Sequence, residues 1–233
     1  CWEYESEFKD LYNIVKANDS YSSNTLNTVF AAYMNYGCDN REFNIPGVLL
    51  TDAVMFAIGG SHLELGDHML CREYFPYKGV TMSEALRTQI VRYYDFMTAY
   101  QNLLRGESTA AQISVDVAYN GSSKNVKIAQ WPPQQGKITT FAKQTDGRQV
   151  IHMLNFLSAE SLSWRDYNGN MVEPRLVNSI PVEIKTDKTI RKVWVASPDK
   201  HAGAPVELAF RQTAESVSFT VPSLKYWTMI VLE

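Results

Sequence analysis

Thr28-Val-Phe-Ala-Ala-Tyr33 is apolar almost without alternation. A strand with one wet face alternates polar and apolar residues, so this run reads as a parallel strand covered on both faces. Parallel neighbours need a crossover, and the chain offers one. Pro46 stands at the expected first helical position, residues 48–58 are apolar on nearly every side, and Gly59-Gly60 stops the run. Next, Ser61-His-Leu-Glu-Leu-Gly-Asp67 alternates strictly, with Leu63 and Leu65 on one side and His62 and Glu64 on the other. A strand with a polar inner row has a job.

Helices flank these strands. Phe8, Leu11, Tyr12 and Val15 follow helical spacing over residues 5–17, with Glu5 and Glu7 at the start and Lys16 near the end. Thr81 and Glu84 read as a capping box, followed by Leu86, Ile90, Tyr93, Met97, Tyr100 and Leu104 at three- and four-residue steps until Arg105-Gly106. Helix, strand, helix, strand, helix is an α/β arrangement with right-handed crossovers. A complete (β/α)-barrel takes about 250 residues and eight strands, whereas two strands precede Gly106 here. Residues 1–106 therefore need the rest of a larger molecule to cover them.

Past Gly106 the grammar changes. Short β-rich runs at 113–119, 138–142, 150–154, 182–185, 190–195, 206–210, 217–221 and 227–232 are punctuated by Asn120-Gly121, Asp146-Gly147 and Asn168-Gly169. Many short strands without long helices predict an antiparallel β-sandwich over 107–233. The fold class is thus α/β followed by all-β.

Composition narrows the function classes. A net charge of -3 gives no electrostatic reason to expect nucleic acid, while a neutral polar substrate suits it. The chain holds 13 Tyr and 5 Trp, faces that stack on sugars but also fill cores. No run approaches the ~20 apolar residues of a transmembrane helix. Cys1, Cys38 and Cys71 match no CxxC pattern, and Cys38 and Cys71 read as buried small hydrophobes. Cys1 itself is read as a truncation point rather than a lipid-anchored terminus, because a helix begins almost at once.

Strand ends are where a barrel carries its chemistry, which singles out Tyr33, Asn35 and Tyr36 after the first strand and His62, Glu64 and Asp67 on and after the second. Two carboxylates beside a histidine suit acid/base work or the holding of sugar hydroxyls. The alternative for Glu64 is a buried inner carboxylate that touches no substrate. His62, His68, Cys38 and Cys71 show no metal-ligand spacing, and nothing resembles a nucleophile elbow. Trp131-Pro-Pro133 and Trp164 suit either a sugar platform or a core.

Several blocks in order carry a resemblance: Ala31-Ala-Tyr-Met-Asn-Tyr36, Pro46-Gly-Val-Leu-Leu-Thr-Asp-Ala53, Gly59-Gly-Ser-His-Leu-Glu-Leu-Gly-Asp67, Glu73-Tyr-Phe-Pro76 and Tyr93-Tyr-Asp-Phe96 through Asn102-Leu-Leu-Arg105. Leu154-Asn-Phe-Leu157, Trp164-Arg-Asp166, Ala196-Ser-Pro-Asp199 and Pro222-Ser-Leu-Lys-Tyr-Trp-Thr-Met-Ile230 continue it. Together they resemble glycoside hydrolase family 66. The resemblance implies the last units of a (β/α)₈ TIM barrel followed by a β-sandwich. It also implies retaining cleavage of α-1,6-glucosidic links in dextran, or cyclising transfer to cyclic isomaltooligosaccharides. No cofactor is implied. The Asp nucleophile and Glu acid/base would lie before Cys1, so no residue here inherits either role, and His62, Glu64, Asp67, Tyr33, Asn35 and Tyr36 are left to bind sugar. Partners would be dextran or isomaltooligosaccharides and the missing N-terminal part of the same enzyme, outside the cell or on its surface, because a polymer is cut outside. A non-catalytic carbohydrate-binding or structural fragment is the alternative from another class.

Overall fold

A computed structural model of the chain describes residues 4–38, 41–63, 79–105 and 126–233. The chain divides into two compact units: Cys1–Arg105 with Ala159–Glu173, and Gly106–Ser158 with Pro174–Glu233.

In the first unit, α1 (Phe8–Tyr21) starts later than its periodicity suggests, because Asp10 Oδ2 accepts the Glu7 amide and so fixes the first turn there. Phe8, Leu11 and Val15 form its buried face. Strand β1 is short (Val29–Phe30), as is β3 (Ser61–His62), and the two pair in parallel with Val29 opposite Ser61 and Phe30 opposite His62. Between them runs β2 (Arg41–Glu42), then the crossover helix α2 (Ile45–Ala57). Every residue of α2 from Gly47 to Ala57 is buried, as a helix apolar on all sides requires. Its N-cap is Asn44, whose side chain accepts the Gly47 amide, and Pro46 falls at the second helical position rather than the first.

The expectation that β1 is covered on both faces is met on one. Phe30 is fully buried against Gly60, where a Cβ would lie 2.6 Å from its ring, but Val29 is 59% exposed because nothing described in this chain lies over it. Strand β4 (Val80–Thr81) pairs in parallel with β2, which takes Thr81 out of the capping role expected of it. Ser83 caps α3 (Glu84–Ala99) instead, accepting the Leu86 amide at 3.2 Å. Leu86, Ile90, Tyr93 and Phe96 face inward, and α4 (Gln101–Leu104) closes the series.

The expected boundary at 107–233 needs one correction. Residues 159–173 belong to the first unit because their backbone bonds are made there. Phe8 N donates to Leu162 O and Trp164 N to Ser6 O, while Trp164 Nε1 reaches Glu5 O at 2.7 Å and Thr51 Oγ1 reaches Trp164 O at 3.0 Å. Trp164 is completely buried, so the core reading of that tryptophan holds.

Among its described residues the second unit forms two sheets. One contains β5 (Lys127–Gln130), β6 (Lys137–Thr145), β7 (Arg148–Asn155), β9 (Val193–Ala196), β10 (Val206–Glu207) and β13 (Trp227–Leu232), in the order β10-β9-β13-β7-β6-β5. The other is β11 (Phe210–Gln212), β12 (Ser216–Leu224) and β8 (Val177–Lys185), in the order β11-β12-β8. Ile138, Ile151, Met153, Val195 and Ile230 from the first sheet share one apolar cluster with Ile180, Val182, Ile184, Val217 and Val221 from the second. Pairing is antiparallel except between β5 and β6, which run parallel, so the wholly antiparallel expectation is corrected at that edge. The single strand expected over 206–210 is two: β10 joins the larger sheet and β11 the smaller, with Leu208-Ala209 as the corner between them.

Candidate functional site at the ends of the parallel strands

The parallel pair β1 and β3 delivers His62 into the interior, opposite Phe30. The imidazole is nearly fully buried at 4% exposure. Its Nε2 lies 3.1 Å from Ala32 O, and its Nδ1 lies 2.8 Å from Asp52 Oδ1. A carbonyl only accepts, so Nε2 carries a hydrogen, and one further proton sits between Nδ1 and the Asp52 carboxyl. Asp52 is fully buried on α2. The His62 main chain is fixed as well, its carbonyl accepting from the Tyr94 hydroxyl of α3. Both ring nitrogens are thus engaged inside the unit. Expected to meet sugar hydroxyls, His62 here ties β3 to β1 and α2 through both ring nitrogens.

Asn35 is likewise engaged within the unit. It is completely buried in the left-handed region at φ 52, where Asn is tolerated better than bulkier residues. Its Nδ2 donates to Asp166 O at 2.6 Å and its Oδ1 accepts from Asn44 N at 2.9 Å. One amide thereby joins the end of β1, the cap of α2 and the segment Ala159–Glu173. Tyr33 is half-buried beside it, and Tyr36 stands outward, 36% exposed and stacked on Tyr167 at 5.7 Å between ring centres. Glu64 and Asp67 lie outside the described residues, as do His68 and Cys71.

Asp166 closes this side of the unit. Its Oδ1 accepts from the amides of Asn170 and Met171 at 2.8 and 3.0 Å, while Oδ2 is buried without a hydrogen bond. Burial raises its pKa above the usual carboxylate value, and the two amide bonds oppose the shift. Oδ2 points toward the start of α2, so close that a Cβ on Gly47 would sit 2.3 Å from it. The arrangement is a scaffold for strand ends: it positions Tyr33 and Tyr36 and supplies no described nucleophile.

One family description, Glycosyl hydrolase family 66, matches residues 1–231. The chain belongs to that family. A cycloisomaltooligosaccharide glucanotransferase of Niallia circulans is 34% identical over 208 residues, which cover 82% of this chain and 20% of the relative. A dextranase of Streptococcus salivarius is 24% identical over 217 residues, 83% of this chain and 26% of the relative. Among solved structures, a Paenibacillus sp. cycloisomaltooligosaccharide glucanotransferase complexed with cycloisomaltoheptaose aligns at TM-score 0.71 and 27% identity, over 82% of this chain and 27% of that one. The family 66 chain thus spans about a fifth to a quarter of the length of these relatives.

Sequence reading passed over three residues that organise this family 66 unit. Asp52 stood in an apolar stretch, and a lone carboxylate inside a fully buried helix is itself the signal of a buried partner. Asp166 and Tyr167 lay in what looked like a turn between sandwich strands. Their signal was weaker, because only the tertiary structure brings residues 159–173 back to the first unit.

Proposed function

We propose that this chain is the C-terminal part of a retaining glycosidase that cleaves α-1,6-glucan, acting endo on dextran. The first unit corresponds in this reading to the last two strands of a (β/α)₈ barrel, and the second to an appended β-sandwich. The observation that carries it is the family 66 match over residues 1–231, together with β1 and β3 pairing in parallel across the helix α2. Val29 is 59% exposed, and in this reading an upstream barrel strand covers it.

Retaining hydrolysis needs two carboxyls about 5–5.5 Å apart, one attacking the anomeric carbon and the other protonating the leaving oxygen. In this reading both stand on strands before Cys1. This chain contributes part of the walls, Tyr33 and Tyr36 at the end of β1, while His62 and Asn35 hold the strand ends in place; Glu64 and Asp67, assigned sugar binding from the sequence, lie outside the described residues. Holding the sugar in an attack-ready pose lowers the barrier as well as aiding binding. Neither metal nor organic cofactor enters this mechanism. A polymeric substrate places the enzyme outside the cell or on its surface. Among the described residues, no helix is long and apolar enough to cross a membrane.

A cyclising glucanotransferase is the second reading, favoured by 34% identity to that relative against 24% to the dextranase. Incubating the full-length enzyme with dextran and weighing the products separates the two. Hydrolysis yields linear oligosaccharides with new reducing ends, whereas cyclisation yields products lighter by one water. The isolated 233-residue chain should show no turnover; turnover by it would overturn the placement of the catalytic pair upstream.

A further inference from the structure

We propose that Tyr36 and Tyr167, with the cleft beside them, form a chain-holding subsite for glucan, an inference that rests on the glucan-active reading above. The two rings stack with 24° between their planes, and Tyr167 is 53% exposed. Aromatic pairs usually serve a core, but this one is open to solvent, and its position is closely determined. Gly37 N donates to Tyr167 O at 2.8 Å, and Asn35 N donates to Arg165 O at 2.9 Å. A Cβ on Gly37 would lie 2.7 Å from the Tyr167 ring, so the absence of a side chain there leaves room for the ring. The left-handed Asn35 turns the chain so that Tyr36 meets its partner. A platform held this way loses little freedom when a ligand lands on it.

Next to Tyr167, which lines it, a cleft of about 350 Å³ is walled by Ser161, Ser163, Asn168 and Asn170 together with Glu160, Asp166 and Met171. Hydroxyls and amides, with Glu160 as the exposed carboxylate and no lysine or arginine among the lining residues, suit a neutral polyol rather than an anion. Sugar rings present an apolar face to aromatics and hydroxyls to amides, which is the division of labour found here. The segment Ala159–Glu173 thus leaves the sheets of the second unit to bring a binding surface to the strand ends of the first.

The experiment uses the full-length enzyme, with KM and kcat measured on isomaltooligosaccharides of increasing length and on dextran. Tyr167→Ala should raise KM for dextran about tenfold, the equivalent of about 1.4 kcal/mol, with an effect that shrinks as the substrate shortens. Tyr167→Phe, which keeps the ring, should retain most of the affinity. An active enzyme in which Tyr167→Ala leaves KM at the wild-type value for every length overturns the subsite alone. A lowered melting temperature with unchanged KM for dextran does the same, marking the ring as packing. Wild-type enzyme that neither cuts nor binds dextran overturns the glucan reading and the subsite together.

Discussion

A buried imidazole with acceptors at both nitrogens behaves differently from one that reaches for a ligand, and His62 is the first kind. Removing it strips Asp52 of a partner in a place water does not reach. His62→Ala should therefore destabilise the first unit by about 3–5 kcal/mol, visible as a fall in melting temperature of the full-length enzyme at saturating substrate. A sugar contact on the surface would instead alter KM with little effect on melting. Asp166 makes the opposite prediction. Its folded pKa is raised by burial, so the neutral form suits the fold and the ionised form is penalised as pH rises through that pKa. Asp166→Asn keeps an oxygen for the Asn170 and Met171 amides and removes the charge. The variant should be more stable than wild type at neutral pH, with the gap closing as the medium is acidified; denaturant melts at several pH values test it.

At the scale of elements, α2 and the larger sheet each rest on one tight position. Gly47 in the first turn of α2 faces Asp166 Oδ2, and Gly47→Ala inserts a methyl where 2.3 Å is available. The expected cost is about 1–3 kcal/mol, measured by thermal denaturation, and it should shrink in the Asp166→Ala background, where the clashing oxygen is gone. On β7, His152 is fully buried and its Nδ1 accepts from Trp227 Nε1 at 3.1 Å, so the hydrogen sits on Nε2, which has no partner. Burial, with the nearby Lys143 charge, holds its pKa well below the usual histidine value. The unfolded chain thus takes up a proton that the folded chain refuses, and stability is present above the unfolded pKa and lost as pH falls below about 6.5. The contribution has a slope of at most about 1.4 kcal/mol per pH unit, and His152→Gln should flatten it by offering Trp227 an uncharged acceptor.

For the whole molecule, the return of Ala159–Glu173 to the first unit means that the two units cannot be separated by one cut. A fragment of residues 106–233 carries Trp164 away from Glu5, Ser6 and Thr51, the partners that bury it. Such a fragment should show red-shifted tryptophan emission and bind an apolar dye, whereas one in which 159–173 is replaced by a short polar linker should not. Leu26 and Val29, 70% and 59% exposed, make the same point at the open edge of β1. The isolated chain should melt below the full-length enzyme, because uncovered apolar area forfeits about 25 cal/mol per Å².

Periodicity and pattern determined much by themselves: the burial of α2, the helical face of α3, the parallel crossover and the strands around Ile138, Val150, Val217 and Trp227. These are local or near-local, since an apolar run or a turn signal imposes its geometry on its own neighbours. The blocks quoted from Ala31 to Ile230 also pointed to the family. Tertiary structure alone decided that His62 is held by Asp52 and Ala32, that Asn35 bridges to Asp166 across 131 positions, and that residues 159–173 serve the first unit. Each of those depends on which distant groups meet in a place without water. A hydrogen bond between residues far apart leaves no period in the chain, only a polar residue where an apolar one was expected, and Asp52 was that residue.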